Sequence, residues 1–438
     1  MDDALTEHES GHIVIEDDVI VAVGEGAAPA RECDVRLIDG RGCIATPGLI
    51  NCHHHLYQLL TRGCAQQSNL FEWLTELYPI WAHIDADMER AAAHAGLAAL
   101  ARSGCSTTTD HHYVFPRGAG DLLEAEIESA RAIGLRFNPC RGSMDLGESH
   151  GGLPPDEVTE DRDAILAATE RAIDSWHDPA PGSMLRIAVA PCSPFSVTAE
   201  LMREAAALAR ARGVRLHTHL AETLEEEQFC RERFGMRPVE YLEELGWLGS
   251  DVWLAHCVHL SDGEVRRLGE SGTGVAHCPT SNARLGAGIA PVASLTSAGA
   301  PVGLGVDGAA SNESGELGPE IRQALLVARI AGGPAALTAR GALALATRGG
   351  ARCLGRDEVG SLEAGMQADI ALWRLDDLGH AGIEDPVAAL VLGSPRPVER
   401  LLVKGRAVVE GGQLVNSGEA SIAADLDKAC RRLRETAS

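Results

Sequence analysis

Lysine is nearly missing from this 438-residue chain: Lys404 and Lys428 are its only two, so everything before Lys404 is lysine-free. Basic residues of either kind form no block, and 63 acidic against 38 basic side chains leave a formal charge of -25. That balance excludes a nucleic-acid backbone as partner, because such binding rests on clustered Lys and Arg. The acidity itself speaks to solubility and not to fold. Also missing is any Cys-x-x-Cys pair among the twelve cysteines, several of which, such as Cys105, Cys192 and Cys257, sit inside apolar runs. They read as reduced core residues of a cytoplasmic protein and not as a disulfide frame. No signal peptide begins at Met1-Asp-Asp, and no uncharged apolar run is long enough to cross a bilayer. No membrane partner is expected.

The length suits one barrel with an appended domain. Residues 11–24 hold two β-branched runs around an acidic turn, the pattern of a hairpin. A similar pattern returns at Asp369-Ile-Ala-Leu-Trp, Val398-Glu-Arg-Leu-Leu-Val and Arg406-Ala-Val-Val-Glu, so the two ends are expected to join in one small sheet domain. Between them, short apolar strands alternate with Ala/Leu/Glu/Arg-rich helices: Leu185–Ala190 then a helix over 198–212, Val214–His219 then 223–233, Val252–His256 then 261–270. About eight such units predict a (β/α)8 TIM barrel of class α/β, with a doubly wound sheet as the alternative. The expected divisions are 1–46 and 356–416 for a small β-sandwich domain, 47–355 for the barrel, and 417–438 for a C-terminal helix read as an appendage.

Polar residues fall at the C-terminal ends of these strands, where barrel enzymes keep their chemistry. His53 and His55 stand two apart, so on a strand both rings project to one side and His54 to the other. Spacing alone leaves a metal-ligand pair and a hydrogen-bonded core pair equally open. His217-Thr-His219-Leu-Ala-Glu222 ends another strand; Glu222 suits a proton carrier beside a ligand at His219, or the first-turn acid of the next helix, or both. His256 ends a third strand and His259 follows. Asp307 ends the run Pro301–Val306, where a lone buried carboxylate is costly unless it binds a metal or caps the next turn.

Gly303-x-Gly305-x-x-Gly308 matches a dinucleotide fingerprint as a string, yet it lies late in the chain with Asp307 inside it, so that reading is rejected. The His-x-Glu with Pro-Cys-x-x-Cys signature of another zinc deaminase fold is absent. Three histidines and one aspartate from separate strands suit a single zinc ion per subunit, with Fe2+ as the alternative ion. Two-metal relatives of such sites often bridge through a carboxylated lysine, and a lysine-free barrel has none to offer.

Pro47-Gly-Leu-Ile-Asn-Cys-His-His-His, His217-Thr-His-Leu-Ala-Glu, Leu254-Ala-His-Cys-Val-His, His277-Cys-Pro-Thr-Ser-Asn and Gly305-Val-Asp-Gly-Ala-Ala-Ser-Asn together resemble the cytosine-deaminase-like branch of the amidohydrolase superfamily, over nearly the whole chain. The resemblance implies metal ligands at His53, His55, His219 and Asp307, with Glu222, His256 and Asp307 in proton transfer and charge stabilisation. Within that branch, Leu56-Tyr-Gln58, Asp110-His-His-Tyr113, Arg141-Gly-Ser-Met-Asp-Leu-Gly-Glu-Ser and Gly151-Gly-Leu-Pro-Pro resemble 8-oxoguanine deaminases. This implies zinc-dependent hydrolytic deamination of a flat amino-substituted oxopurine, with guanine, isocytosine, a pterin or a hydroxy-s-triazine as alternative substrates and a homo-oligomer as the assembly. A triazine-dechlorinating relative carries threonine where Asp307 stands, so Asp307 argues for deamination.

For the substrate pocket, Gln58 is expected to read a ring carbonyl and its neighbouring N–H. Trp73, Tyr113 and Arg141 are expected to stack on or hydrogen-bond the ring. His111, His112, His259 and His277 are candidate partners that fix ligand tautomers. Family members usually begin with a further strand ahead of the Met1-Asp-Asp-Ala stretch, so either the start codon is assigned too late or the small sheet lacks an edge strand. A non-catalytic scaffold remains the remote alternative, although such relatives lose ligands and this chain keeps all four.

Overall fold

The computed structural model describes residues 6–29 and 35–437; the Met1-Asp-Asp-Ala stretch lies outside them. The expected N-terminal hairpin is present: β1 (Gly11–Glu16) and β2 (Val19–Glu25) pair antiparallel, with Asp17 in the left-handed region at the turn. Next, β3 (Cys43–Pro47) leaves the hairpin for a different sheet and pairs antiparallel with β12 (Ile370–Arg374). That sheet is completed by β13 (Arg400–Val403), β14 (Arg406–Glu410) and β15 (Gln413–Leu414), in the order β15-β14-β13-β12-β3. Ile13, Ile15 and Ile20 of the hairpin pack with Ala368, Ile370 and Leu402, so the two small sheets share one apolar cluster.

The middle of the chain closes into a barrel of eight parallel strands: β4 (Leu49–Asn51), β5 (Cys105–His112), β6 (Arg136–Ser143), β7 (Ala188–Pro191), β8 (Arg215–Leu220), β9 (Val252–His256), β10 (Gly274–His277) and β11 (Val302–Leu304). The doubly wound alternative is thereby excluded, since an open sheet has edges and this one has none. Neither lysine lies in the barrel: Lys404 is in the β13–β14 turn and Lys428 in the last helix.

Helices form where the sequence supplies both a cap and an apolar stripe. Helix α1 (Leu70–Trp81) starts on an Asn69/Glu72 capping box, α2 (Ala86–Arg102) on Asp85 and α3 (Leu122–Ile133) on Asp121, each cap accepting a backbone N–H of the first turn. Gly134, in the left-handed region, ends α3. No helix among the described residues is long and apolar enough to cross a membrane.

Two expectations need correction. The C-terminal helix, Glu419–Thr436, is no appendage: Ala429 and Leu433 are buried, Cys430 Sγ reaches Leu59 O at 3.8 Å, and Arg432 pairs with Asp85 at the start of α2. Its apolar stripe covers the barrel beside the segment that follows His55. Strand β11 ends at Leu304, short of Val306, because the Val306 N–H donates to Asn51 Oδ1 at 2.9 Å instead of continuing the ladder.

The small sheets are anchored to the barrel through one buried ion pair. Arg136 on β6 meets Asp369, just before β12, with N–O separations of 3.1–3.3 Å, and also donates to Gly182 O and Ser183 O at 2.9 and 2.7 Å. Both side chains are almost fully buried. Removing one partner leaves an uncompensated interior charge, so Asp369→Ala is predicted to cost about 3–5 kcal/mol and to lower the melting temperature measured by calorimetry. An unchanged melting temperature would show that the pair anchors nothing.

Candidate active site

The strand ends converge on a pocket lined by His55, Gln58, Trp73, Tyr113, His219, Glu222, His256 and Asp307, among others. His53 and His55 follow β4 directly, and their rings meet edge to face with centroids 4.7 Å apart. Four non-glycine residues at these strand ends, Ala221, His256, Cys257 and Asp307, sit in the left-handed region, at φ 52, 70, 50 and 61°. Such strain persists only where the surroundings impose it, and it gathers at functional sites. Here it turns the chain sharply beside the side chains that line the common centre.

Close approach explains the glycines that mimic a dinucleotide fingerprint. A Cβ on Gly305 would lie 2.7 Å from the His53 Cβ, and one on Gly308 would lie 1.7 Å from Gln58 Oε1. The glycines make room for the site's own side chains and cradle no phosphate.

The hydrogen bonds around the three histidines dictate their tautomers. His55 Nδ1 lies 2.7 Å from the carbonyl of His111, and His219 Nδ1 lies 2.7 Å from that of Cys192. A carbonyl can only accept, so each Nδ1 carries the proton and each Nε2 carries a lone pair. For His53 the logic runs one step further. His217 Nδ1 donates to Trp253 O at 2.8 Å, which leaves His217 Nε2 as acceptor for His53 Nδ1–H at 2.8 Å and again frees Nε2. Burial holds the pKa values of His53, His55 and His219 below the ordinary histidine range, so all three are neutral.

Three lone pairs therefore point at one another. The Nε2 atoms of His55 and His219 are 3.1 Å apart, a separation that looks like a hydrogen bond but has no proton to make one. His53 Nε2 is fully buried without a hydrogen-bond partner. Asp307 Oδ1 stands 3.4 Å from His53 Nε2 and 3.3 Å from His55 Nε2, while its Oδ2 accepts Ser281 Oγ at 2.6 Å and Ser311 Oγ at 3.3 Å. Three imidazole nitrogens and one carboxylate oxygen, each oriented by a hydrogen bond on its far side, fit a tetrahedral metal ion.

Glu222 lies beside this centre without joining it. Burial pushes its carboxyl up to about 7, against the opposing pull of His256, and its Oε1 has no hydrogen-bond partner. Its Oε2 is 3.5 Å from His256 Nε2. Burial alone would lower the His256 pKa, but the carboxylates of Glu222 and Asp307 outweigh it and raise it; Asn282 Oδ1 accepts from His256 Nδ1 at 2.9 Å. Glu226, one helical turn on, accepts the backbone N–H groups of Ala221 and Glu222 at 2.8 and 2.9 Å and so fixes the strained turn.

The structure brings together all the residues read from the strand ends, but not every pocket candidate. Gln58, with a buried and unpartnered Oε1, Trp73 and Tyr113 line the cavity. The Trp73 indole N–H is already used on Ala310 O at 3.2 Å, so only its ring is on offer. Arg141 is elsewhere: its guanidinium lies 3.6 Å over the Phe115 ring and pairs with Glu160 at 2.7 Å. His111 serves the site through its carbonyl, and its ring stacks on His219. His259 donates to Ala287 O and His277 has no hydrogen-bond partner, so neither sets a ligand tautomer, whereas His217 does. Ser281, Ser311, Asn282 and Glu226 escaped the sequence reading; Ser281, Asn282 and Ser311 stand inside quoted motifs, but nothing in those motifs says what they touch.

Comparison with known proteins follows from this geometry. The model of the amidohydrolase family matches residues 44–408. The chain is 48% identical to the 8-oxoguanine deaminase of Pseudomonas aeruginosa over 92% of its own length and 90% of that protein. It is 39% identical to isoxanthopterin deaminase from an unknown prokaryotic organism, over 90% and 85%. Its fold superposes on the atrazine chlorohydrolase of Arthrobacter aurescens TC1 complexed with zinc at a TM-score of 0.94, with 36% identity over 98% of this chain and 97% of that one.

The tautomer chain carries a prediction. Replacing His217 by Phe keeps a ring against Trp253 but removes the acceptor for His53, so zinc affinity, measured by chelator competition, is expected to fall about 10–100-fold. An unchanged affinity would mean that His217 does not orient His53.

Proposed function

The chain belongs to the amidohydrolase family, and on that footing we propose that it is a zinc-dependent aminohydrolase that converts 8-oxoguanine and water to urate and ammonia. The observation that carries the reaction class is the convergence of His53, His55, His219 and Asp307 on one point with the Glu222 carboxyl beside it. The substrate rests on the similarity to 8-oxoguanine deaminase along most of the chain.

In this reading His53, His55, His219 and Asp307 hold the ion, which when bound supplies Lewis acidity and brings the pKa of water toward neutrality. The protein's own groups do the rest. Glu222, buried and poised near neutral pH, takes a proton from the attacking water and delivers it to the ring nitrogen next to C2, breaking the ring's aromaticity. His256, held by Asn282 and drawn toward its charged form by two carboxylates, donates from Nε2 to the developing oxyanion. Asp307 Oδ1 faces the same space and takes the second proton. Asp307 passes that proton to the C2 amino nitrogen, the C2–N bond then breaks, ammonia leaves, and the new C2–O bond remains as the carbonyl of urate.

Substrate is oriented by Gln58, whose unpartnered amide oxygen meets a ring N–H, and by the Trp73 and Tyr113 rings against its faces. Arg141 takes no part. A pterin is the second reading, favoured by the 39% identity to isoxanthopterin deaminase.

Two measurements test the proposal. Glu222→Gln is predicted to keep its zinc while kcat falls by about 10²–10⁴; full activity would remove Glu222 from proton transfer. Ammonia release, followed on 8-oxoguanine, guanine, isocytosine, isoxanthopterin and a hydroxylated aminotriazine, should be most efficient on 8-oxoguanine. Preference for isoxanthopterin would transfer the assignment to the pterin.

A further inference from the structure

A second cluster of metal-ligating side chains lies outside the barrel lumen. Neighbouring residues of β5 point to opposite faces, so while His111 turns inward, Asp110 and His112 turn outward against α2 and α3. There they meet Glu89 of α2 and Glu126 of α3. All four side chains are fully buried. One ligand atom each from Glu89, His112 and Glu126 lies within 4.8 Å of the others; His112 Nδ1 is 2.7 Å from Glu126 Oε1 and 3.9 Å from Glu89 Oε2.

The hydrogen bonds of this cluster do not close. His112 Nε2 donates to Val114 O at 2.7 Å, and Nδ1 on the other side of the ring faces Glu126 Oε1 at 2.7 Å. Both oxygens of Glu89, Oε2 of Glu126 and Oδ2 of Asp110 are buried with no hydrogen-bond partner. Among the described residues no arginine or lysine pairs with any of the three carboxyls. Buried acceptors facing one another without donors are expensive, and interiors rarely tolerate them unless something positive sits between. Without such a charge, burial drives Glu126 up to about 8 and Glu89 and Asp110 well above the usual carboxylate range.

We propose that Glu89, His112, Glu126 and Asp110 form a second divalent-cation site, structural in role and separate from the catalytic centre. One imidazole nitrogen with several carboxylate oxygens suits a first-row ion such as manganese, iron or zinc, and it offers no thiolate to favour a softer one. The ion takes the place of protons on the carboxyls. Its placement also gives it a task. Asp110 Oδ1 accepts the Leu56 N–H at 2.6 Å, at the start of the 3-10 helix Leu56–Thr61 that follows His55 and carries Gln58. A cation drawing in Asp110 braces that segment from behind.

The test uses manganese as the probe and reads metal, not turnover. Crystals of the zinc-loaded protein are soaked in manganese chloride and an anomalous difference map is collected, while metal content is measured on protein in solution. The expected result is a peak within bonding distance of His112 Nδ1 and the Glu89 and Glu126 carboxyls, with about two metal equivalents per chain falling to about one in Glu89→Gln. A map with no peak there, and metal content that stays at about one equivalent in the unmodified protein, would overturn the site. Should Glu89→Gln fail to fold, the soaked unmodified crystal decides alone.

Discussion

Everything at the centre of this molecule depends on three imidazole lone pairs held face to face in a buried pocket. His55 and His219 present Nε2 atoms 3.1 Å apart with no proton between them, and His53 Nε2 faces the same point. Left alone, that arrangement is repulsive and desolvated, so the fold must impose it. It does so through the carbonyls of His111 in β5, Cys192 just after β7 and Trp253 in β9, each of which claims one imidazole N–H, directly or through His217. The strained positions at Ala221, His256, Cys257 and Asp307 lie at the same end of the barrel, where the chain turns beside the centre. A cation relieves the repulsion, and the binding energy it contributes offsets the strain that creates its site.

The division of labour between carboxylates follows from what surrounds each. Asp307 has two hydroxyl donors, Ser281 and Ser311, that hold it as an acceptor toward the histidines. Glu222 has an unpartnered oxygen and full burial, so its proton is loosely owned near neutral pH. The two carboxylates therefore stand in different environments, one tied by hydroxyl donors and the other free to exchange a proton first.

Much of this was legible in the sequence because strand ends advertise themselves. His53, His55, His219, Glu222, His256 and Asp307 all stand at or just past the point where an apolar run stops. Alternation along a strand predicts that His53 and His55 share a side, yet β4 ends at Asn51 and the pair lies beyond it, so their approach is set by the loop and not by the pleat. The lysine-free barrel, too, is a plain reading of composition. What stayed hidden was set by tertiary neighbours. Arg141 sits on a strand of the barrel like its companions, yet Phe115 and Glu160 capture it. His217 looks equivalent to His219 in its motif, and only the 2.8 Å contact with His53 shows that it acts through another ring. Glu89 and Glu126 went unremarked in the sequence; that both are buried beside His112 follows from how α2 and α3 cross β5, which no local pattern encodes. The C-terminal helix was legible as a helix but not as a cover for the barrel, because an amphipathic stripe does not name its partner.

The converging imidazoles and Asp307 are arranged to hold an ion through nitrogen and oxygen alone, although Cys192 also lines the cavity. X-ray absorption at the zinc edge of the zinc-loaded protein tests this most directly. The predicted spectrum has a first shell of nitrogen and oxygen at about 2.0–2.2 Å with the outer-shell scattering of imidazole rings. A sulfur shell at about 2.3 Å, or a spectrum without imidazole scattering, would contradict it.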